Sequence, residues 1–488
     1  MSVQMDEQEV VRSVPKQLFI GGSWVDAAGG ATFEVTDPST GEVLCSVADA
    51  SPEDGMTALS AAADAQAEFA ATSPRSRSDM LMNAFRLLHE RVDDLALLMT
   101  LEMGKPLAES RGEILYAAEF LRHFAEEAVR VDGGYQIAPT GGARFLVAKQ
   151  PVGPCLLITP WNFPMARGTR KIGPAIAAGC TSVIKPAQQT PLSMLALAGI
   201  LREAGVPDGV VNVLPTTGAG KVMEPLIRSG IARKLSFTGS TEVGRRLLEQ
   251  CADKVLRTSM ELGGNAAFIV FDDADLDAAV EGAVAAKMRN SGEACTAANR
   301  IYVHADVVDE FGSRLAKAMA AMPVGRGVDD GVRVGPMIDA AAQEKVQELV
   351  QDAVDHGAQV LTGGERPTTA GYFYPPTVLT DVPDDARMRH EEIFGPVAPI
   401  SSFSTEDEVV RAANDTEYGL VDYVFTNDLR RALRVAEALE AGMIGLNQGV
   451  VSNPAAPFGG VKASGLGREG GSTGIDEFLE TKYIGIAM

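Results

Sequence analysis

The sequence predicts an α/β protein with two parallel-sheet domains and a small extra β-element. Three observations predict it. Short apolar runs ending in Pro- or Gly-containing turns alternate with helical patterns along most of the chain, as expected of strands joined by crossover helices. The alternation comes as two series that meet near Leu262–Asn265. Two strand-like stretches, 144–153 and 480–488, belong to neither series.

Taken in order, the first clear element is helical. Leu81, Phe85, Leu88, Val92, Leu95 and Leu98 recur at spacings of three and four, which puts apolar side chains on one helix face. "VGPCLLITPWNFP" (152–164) is a short apolar run stopped by prolines, a buried strand leading into a loop. "GCTSVIKPAQQTP" (179–191) repeats that pattern, and "LSMLALAGILREAG" is a helix behind it. "GVVNVLPTT" and "RKLSFTGST" are further strands, the second followed by the helix "EVGRRLLEQCAD". The second series contains "NAAFIVFDDADLDAAVEGAV", "NRIYVHADVVDEFGSRLAKAM" and "DYVFTNDLRRALRVAEAL". The two outlying strands are expected to pair with each other or with the edge of another subunit.

Composition narrows the class. Hydrophobic residues make up 46% and charged residues 22% of 488, ordinary for a soluble globular protein. With 65 acidic and 43 basic residues the net charge is −22. That disfavours nonspecific binding to nucleic acid or to an acidic membrane, which needs clustered Lys and Arg. Cys45, Cys155, Cys180, Cys251 and Cys295 are far apart with no CxxC pair, so a zinc site or thioredoxin motif has no support, and no metal is expected. Sparse cysteines suit a reducing cytosol. The N-terminus lacks a signal-peptide pattern, and no apolar run approaches the ~20 residues of a spanning helix. The expected location is cytoplasmic.

Five short motifs carry chemistry. "GLGREG" (465–470) matches G-x-G-x-x-G, but only 18 residues follow Gly470. That is too few for the βαβ unit a dinucleotide fingerprint requires, so it reads as a loop. "FTGSTEVG" (237–244) follows a strand and opens a helix, where Gly239 and Ser240 can face a phosphate or simply cap the helix. "TPWNFP" places Asn162 in a proline-bounded turn. Its amide is either an oxyanion donor or a turn-stabilising group. "MELGG" puts Glu261 before two glycines, either as a general base or as a surface carboxylate. "NSGEACTAANR" surrounds Cys295 with small and polar residues, unlike a cysteine kept for packing. A thiolate, a carboxylate base and an amide donor together make a set for covalent acyl chemistry.

"TPWNFP", "KPAQQTP", "SFTGST", "MELGGN", "GEACTAANR", "EEIFGPV", "NDTEYGL" and "APFGGVKASGLGREGG" occur in an order and spacing that resembles the aldehyde dehydrogenase superfamily, from about Leu18 to the C-terminus. Cys295 lies 34 positions after Glu261, the separation of nucleophile and base in that family. Within it, the chain looks most like bacterial succinate-semialdehyde dehydrogenases.

The resemblance implies a Rossmann-like dinucleotide-binding domain over 8–129 and 149–261, a catalytic domain over 262–472, and oligomerisation strands over 130–148 and 473–488. It implies that Cys295 attacks the aldehyde, that Asn162 and the Cys295 N–H hold the oxyanion, and that Glu261 activates water. NAD or NADP is the implied cofactor. Its turn is formed by Phe237, Gly239, Ser240 and Gly244. Lys185 and Gln188 lie at the adenine ribose, and Glu392 and Phe394 at the nicotinamide side. Thr159, Pro160, Trp161 and Leu262 complete the cofactor set.

For a substrate carboxylate, Arg170, Arg289 and Ser452 match the anion-binding positions of similar enzymes. Succinate semialdehyde is the expected substrate, with glutarate semialdehyde, sulfolactaldehyde or a broader aldehyde range as rivals and a non-catalytic dinucleotide-binding protein as a remote one. The chain departs from the family pattern at Arg167 and Gly168, which replace apolar residues, and at Asp422 and Gln448. All lie in segments that line the family's substrate tunnel, so Arg167 is expected to pair with Asp422 or to meet a substrate anion. Position 297 is Ala, so the second cysteine found in some relatives is missing. Gln188 stands where NAD-preferring relatives have Glu, so NADP is expected to be accepted. A homodimer or homotetramer is the implied assembly.

Overall fold

The computed structural model describes residues 6–488. Its first large sheet runs in the order Gly465–Leu466, Arg257–Glu261, Lys234–Thr238, Cys155–Ile158, Ser182–Lys185, Val211–Val213, Leu18–Ile20, Ser23–Val25. The five strands between 155 and 261 are mutually parallel, and short antiparallel strands close both edges. Alternate residues supply opposite faces. Cys155 and Leu157 join one apolar core, Leu156 and Ile158 the other. Helices cover both faces, so these strands read as continuous apolar runs rather than alternating ones.

The second sheet runs Gln359–Thr362, Thr377–Thr380, Val397–Phe403, Ala298–His304, Ala266–Val270, Val421–Phe425, Met443–Leu446. All its pairings are parallel except that of Gln359–Thr362 at one edge. The chain leaves the first sheet at Glu261 and enters the second at Ala266. Both sheets are therefore parallel in the middle, as expected, and mixed at their edges, where a strand with one neighbour is free to run either way.

The outlying strands pair with each other. Leu479–Ala487 runs antiparallel to Ala143–Pro151, and Gly134–Ile137 adds a third strand. Tyr135, Ile137, Leu146, Tyr483, Ile484 and Ile486 on this sheet are exposed.

Two local differences have backbone causes. The helical pattern of 81–98 spans two helices, Pro74–Glu90 and Val92–Met103, broken at Arg91 where ψ is 18°. Gly104 ends the second at φ +95° and passes close to two prolines; a Cβ there would lie 2.6 Å from Pro336 and 2.9 Å from Pro38, a conformation and a spacing only glycine tolerates. The "GLGREG" segment is no cofactor turn. Gly465 and Leu466 pair with the end of the Arg257–Glu261 strand, where a Cβ on Gly465 would stand 1.9 Å from the Met260 carbonyl.

Candidate active site

Four strands of the first sheet end on one side, and their C-terminal ends carry Thr159, Lys185, Gly239 and Glu261. This is where open α/β sheets bind ligands. The second sheet contributes the loop before Ala298–His304, which holds Cys295.

That loop is fixed by an unusual backbone. Asn290 and Ser291 adopt φ of +55° and +54°, followed by Gly292 at +80°. A Cβ on Gly292 would lie 2.1 Å from the Gly395 carbonyl. Left-handed non-glycine residues cost of order 1–3 kcal/mol each and persist only when their surroundings hold them. Here the Asn290 N–H donates to Glu109 at 2.6 Å, and its Nδ2 donates to the carbonyls of Asn162 at 3.1 Å and Glu293 at 3.0 Å. Glu293 in turn accepts from the Ile338 N–H at 3.0 Å.

Asn162 is tied from both sides. Its Nδ2 donates to the Glu293 carbonyl at 3.0 Å, which leaves a second amide hydrogen uncommitted. Its own carbonyl accepts from Lys105 Nζ at 2.7 Å, and Lys105 pairs with Glu113 at 2.5 Å in the interior. The other Glu113 oxygen accepts from the N–H groups of Met165 and Ala166, satisfying the first turn of the Pro164–Ala178 helix. Lys105, Glu113 and Asn290 were not singled out from the sequence. Nothing local marks them, since each reads as an ordinary polar residue of a helix or loop.

Glu261 ends its strand almost fully buried, and neither carboxylate oxygen has a hydrogen-bond partner among the described residues. Burial, reinforced by Glu469, holds its carboxyl well above the usual range. Gly459 leaves it room, since a Cβ there would stand 2.9 Å from Oε1. Glu469, also missed from sequence, is bound by Lys171 at 2.6 Å and Arg170 at 3.6 Å. Burial and Glu469 act on Lys171 in opposite directions, and Lys171 also donates to Ser236 at 2.8 Å.

A cavity of about 280 Å³ joins Cys295 to the strand ends. Pro160, Trp161, Asn162, Arg167, Gly239, Ser240, Leu262, Glu392 and Phe394 line it. Its polar and aromatic lining fits the nicotinamide half of a dinucleotide. A Cβ on Gly239 would come within 2.5 Å of the Phe237 ring, and Ser240 caps the Thr241–Ala252 helix whose N-terminus faces the cavity. Gly244 lets that helix pack on Leu262. Phe394, at φ +55°, meets Trp161 edge-on at 5.4 Å. Glu392 accepts from the Gly264 N–H at 3.1 Å, and burial pushes its carboxyl up to about 7. Thr159, Lys185, Gln188, Phe237 and Gly244 do not line this cavity. Lys185 ends the neighbouring strand, where its carbonyl accepts from Thr159. Burial alone lowers its ammonium to about 8, and an anion bound beside it would favour the charged form. Gln188 is exposed on the turn after it.

A second cavity, of about 300 Å³, lies on the Phe163 side. Glu109, Glu113, Tyr116, Phe163, Arg289, Val450 and Ser452 are among its lining. Arg289 stacks on Phe163 at 4.8 Å. Arg170 is set behind this wall. It is buried against Phe458 and Phe120, donates to Tyr116 Oη at 2.7 Å and faces Glu469.

The expected neighbours of Arg167 need correction in part. Arg167 does not pair with Asp422. Its Nη2 donates to Cys295 Sγ at 2.9 Å, and the guanidinium lies 5.1 Å from the Phe458 ring centroid. Asp422 points into the second sheet instead, accepting from the Ala267 N–H at 2.7 Å. Burial pushes its carboxyl up to about 7. Gln448 is exposed in the loop after Met443–Leu446. Neither lines either cavity, because strand alternation turns Asp422 inward and the loop turns Gln448 outward. A Cβ on Gly168 would meet the flexible end of the Met194 side chain, 2.5 Å from Cε, and nothing in the structure requires glycine there.

Cys295 and the Asn162 amide thus line one cavity whose remaining walls suit a nicotinamide, and Glu261 is buried at the end of the Arg257–Glu261 strand. The aldehyde dehydrogenase family model matches residues 24–484, and the chain belongs to that family. It is an NAD(P)-dependent aldehyde dehydrogenase. Over 445 residues it is 56% identical to a succinate-semialdehyde dehydrogenase of Paenarthrobacter nicotinovorans, covering 91% of this chain and 99% of that protein. It is 50% identical to a glutarate-semialdehyde dehydrogenase of Pseudomonas putida, covering 100% of both chains. The crystal structure of an E. coli NADP-dependent enzyme superposes with a TM-score of 0.96 at 50% identity, covering 98% of this chain and 99% of that one.

Proposed function

We propose that the chain oxidises a small carboxylate-bearing aldehyde, succinate semialdehyde to succinate, with Cys295 as nucleophile. The observation that carries this is that Cys295, Asn162 and the dinucleotide-shaped lining share one cavity. Sγ bonds to the aldehyde carbon, and the uncommitted Asn162 amide hydrogen and the Cys295 N–H take the oxyanion. Bound NAD(P) supplies the hydride acceptor. Collapse of the alkoxide leaves a thioester on Cys295, and Glu261 draws a proton from the water that hydrolyses it. Arg289 and Ser452 meet the remote carboxylate from the second cavity, since a charge taken from water needs a cation and hydrogen bonds. Arg170 supports them from behind by orienting Tyr116.

Glutarate semialdehyde is the second reading, favoured by the 50% identity to the P. putida enzyme. One methylene is worth only about 1–3 kcal/mol of discrimination. The free cysteines suit a reducing, cytoplasmic setting. Among the described residues no helix is long and apolar enough to cross a membrane. The exposed apolar residues of the three-stranded sheet support assembly into a homodimer or homotetramer.

Glu261→Gln is expected to give a burst of about one NAD(P)H per site and then stall. Rapid-mixing absorbance measures this, and sustained wild-type turnover would overturn the role of Glu261. Arg289→Ala should raise KM for succinate semialdehyde far more than for an uncharged aldehyde, by on the order of 2–5 kcal/mol. Arg170→Ala should also lower the unfolding midpoint, because it removes one of the two cations held against Glu469 and empties the space between Phe120 and Phe458; equal KM effects on both aldehydes would remove Arg289 from the anion site.

NADP is expected to be accepted. Gln188 lacks the carboxylate that would repel a 2′-phosphate, a repulsion of roughly 4 kcal/mol per close charge pair at an effective dielectric near 20. Gln188→Glu should shift kcat/KM toward NAD; no NADP activity in the wild type and no shift in the variant would show that another residue governs the choice. Ile484→Asp should yield smaller species than wild type in sedimentation, whereas an unchanged sedimentation coefficient would place the assembly surface elsewhere.

A further inference from the structure

Arg167 is a buried cation with few partners. It is 4% exposed. Among the described residues the only hydrogen-bond partner of its guanidinium is Cys295 Sγ, at 2.9 Å from Nη2, and Nη1 is enclosed with no partner. Glu469, one of the carboxylates it faces, is already taken, bound by Lys171 at 2.6 Å and facing Arg170 at 3.6 Å. A cation removed from water without a bonded anion is costly. Charge balance points the same way. Arg167, Arg170 and Lys171, all on the Pro164–Ala178 helix, face Glu261 and Glu469. With Glu469 ionised, two positive charges of that helix remain, which Cys295 and Glu261 as anions balance.

We propose that Arg167 is a catalytic residue, whose guanidinium pairs with the sulfur of Cys295 as a thiolate before that sulfur attacks the aldehyde. The inference rests on the reading of Cys295 as nucleophile. Arg167 takes no proton, because a guanidinium is a donor only. The thiol proton leaves to water. The Sγ lone pair then forms the C–S bond while the carbonyl π pair moves onto oxygen. Sulfur is neutral from that point, and Arg167 is left facing Glu261, whose ionised form the next step requires.

Other groups also face Cys295. Burial raises the Cys295 thiol above its ordinary value; Arg167 and Arg170 pull it down, while Glu392, from the loop before Val397–Phe403, and Glu261 push it up. Tyr423, on Val421–Phe425, sees the sulfur's charge as well. Arg167 is the one cation in contact. An opposite charge at such range shifts a titration by about 1–3 units.

The test is the pH dependence of Cys295 alkylation by iodoacetamide in the full-length protein, read by mass of the Cys295 peptide. Arg167→Met should raise the midpoint by about one unit or more, slowing alkylation roughly tenfold below it. Arg167→Lys should recover part of the shift. A merely structural role would change the unfolding temperature and leave the midpoint in place. An unmoved or lowered midpoint in Arg167→Met overturns the proposal, and Arg167→Gln carries the same reading if the Met variant does not fold. An unmoved midpoint with a raised KM for anionic aldehydes makes Arg167 a substrate-binding group instead, and also overturns it. Turnover retained in Cys295→Ser would sink the nucleophile reading itself, which separates the two failures.

Discussion

The site depends on one buried chain of hydrogen bonds between two loops that belong to different sheets. Glu113, Lys105, the Asn162 carbonyl, Asn290 and Glu293 are linked in turn. Asn162 belongs to the turn after a first-sheet strand, and Asn290 to the loop that carries Cys295. With the Asn290 N–H bond to Glu109 and the Ser291 hydroxyl bond to the Gly335 carbonyl, these contacts hold Asn290 and Ser291 in left-handed conformations. Every member is enclosed, where hydrogen bonds are strong and unmet ones costly. Rigidity at Cys295 is thus a property of the interface between the two sheets.

Electrostatics is set by the same geometry. The Pro164–Ala178 helix begins on Glu113 and presents Arg167, Arg170 and Lys171 to the space where Glu261 and Glu469 lie. Phe458 sits between two guanidiniums, 4.1 Å from that of Arg170 and 5.1 Å from that of Arg167. Aromatic faces suit desolvated cations and keep water out. In such an enclosure each charge is felt by its neighbours, so Glu261 and Glu469, two carboxylates of one cluster, are displaced in opposite directions: Glu261 upward, Glu469 downward under its three cations. Glu261, whose oxygens have no hydrogen-bond partner among the described residues, keeps the elevated proton affinity, a displacement typical of functional sites.

Two cavities flank the Asn162 turn. One lies at the strand ends of the first sheet, while Arg289 and Ser452 line the other, beyond Phe163. Asn162 lines the first and Phe163 the second, so two consecutive residues stand between the two spaces, and Cys295 lies on the Asn162 side.

The sequence alone determined the α/β class, the positions of most strands and helices, and the short motifs around Asn162, Glu261 and Cys295. Those features rest on local periodicity and turn chemistry, which a few neighbouring residues specify. It also marked Arg167 as out of pattern. Only the tertiary structure decided what Arg167 touches, since Cys295 is 128 positions away and the contact depends on how one helix meets the other sheet's loop. The same holds for Asp422. Alternation along a strand says that it faces one side, and only the packed sheets decide that this side is the interior at Ala267. Lys105, Glu113, Asn290 and Glu469 lay hidden for that reason: a polar side chain in a helix or loop has the same local appearance whether it meets solvent or a buried partner far along the chain.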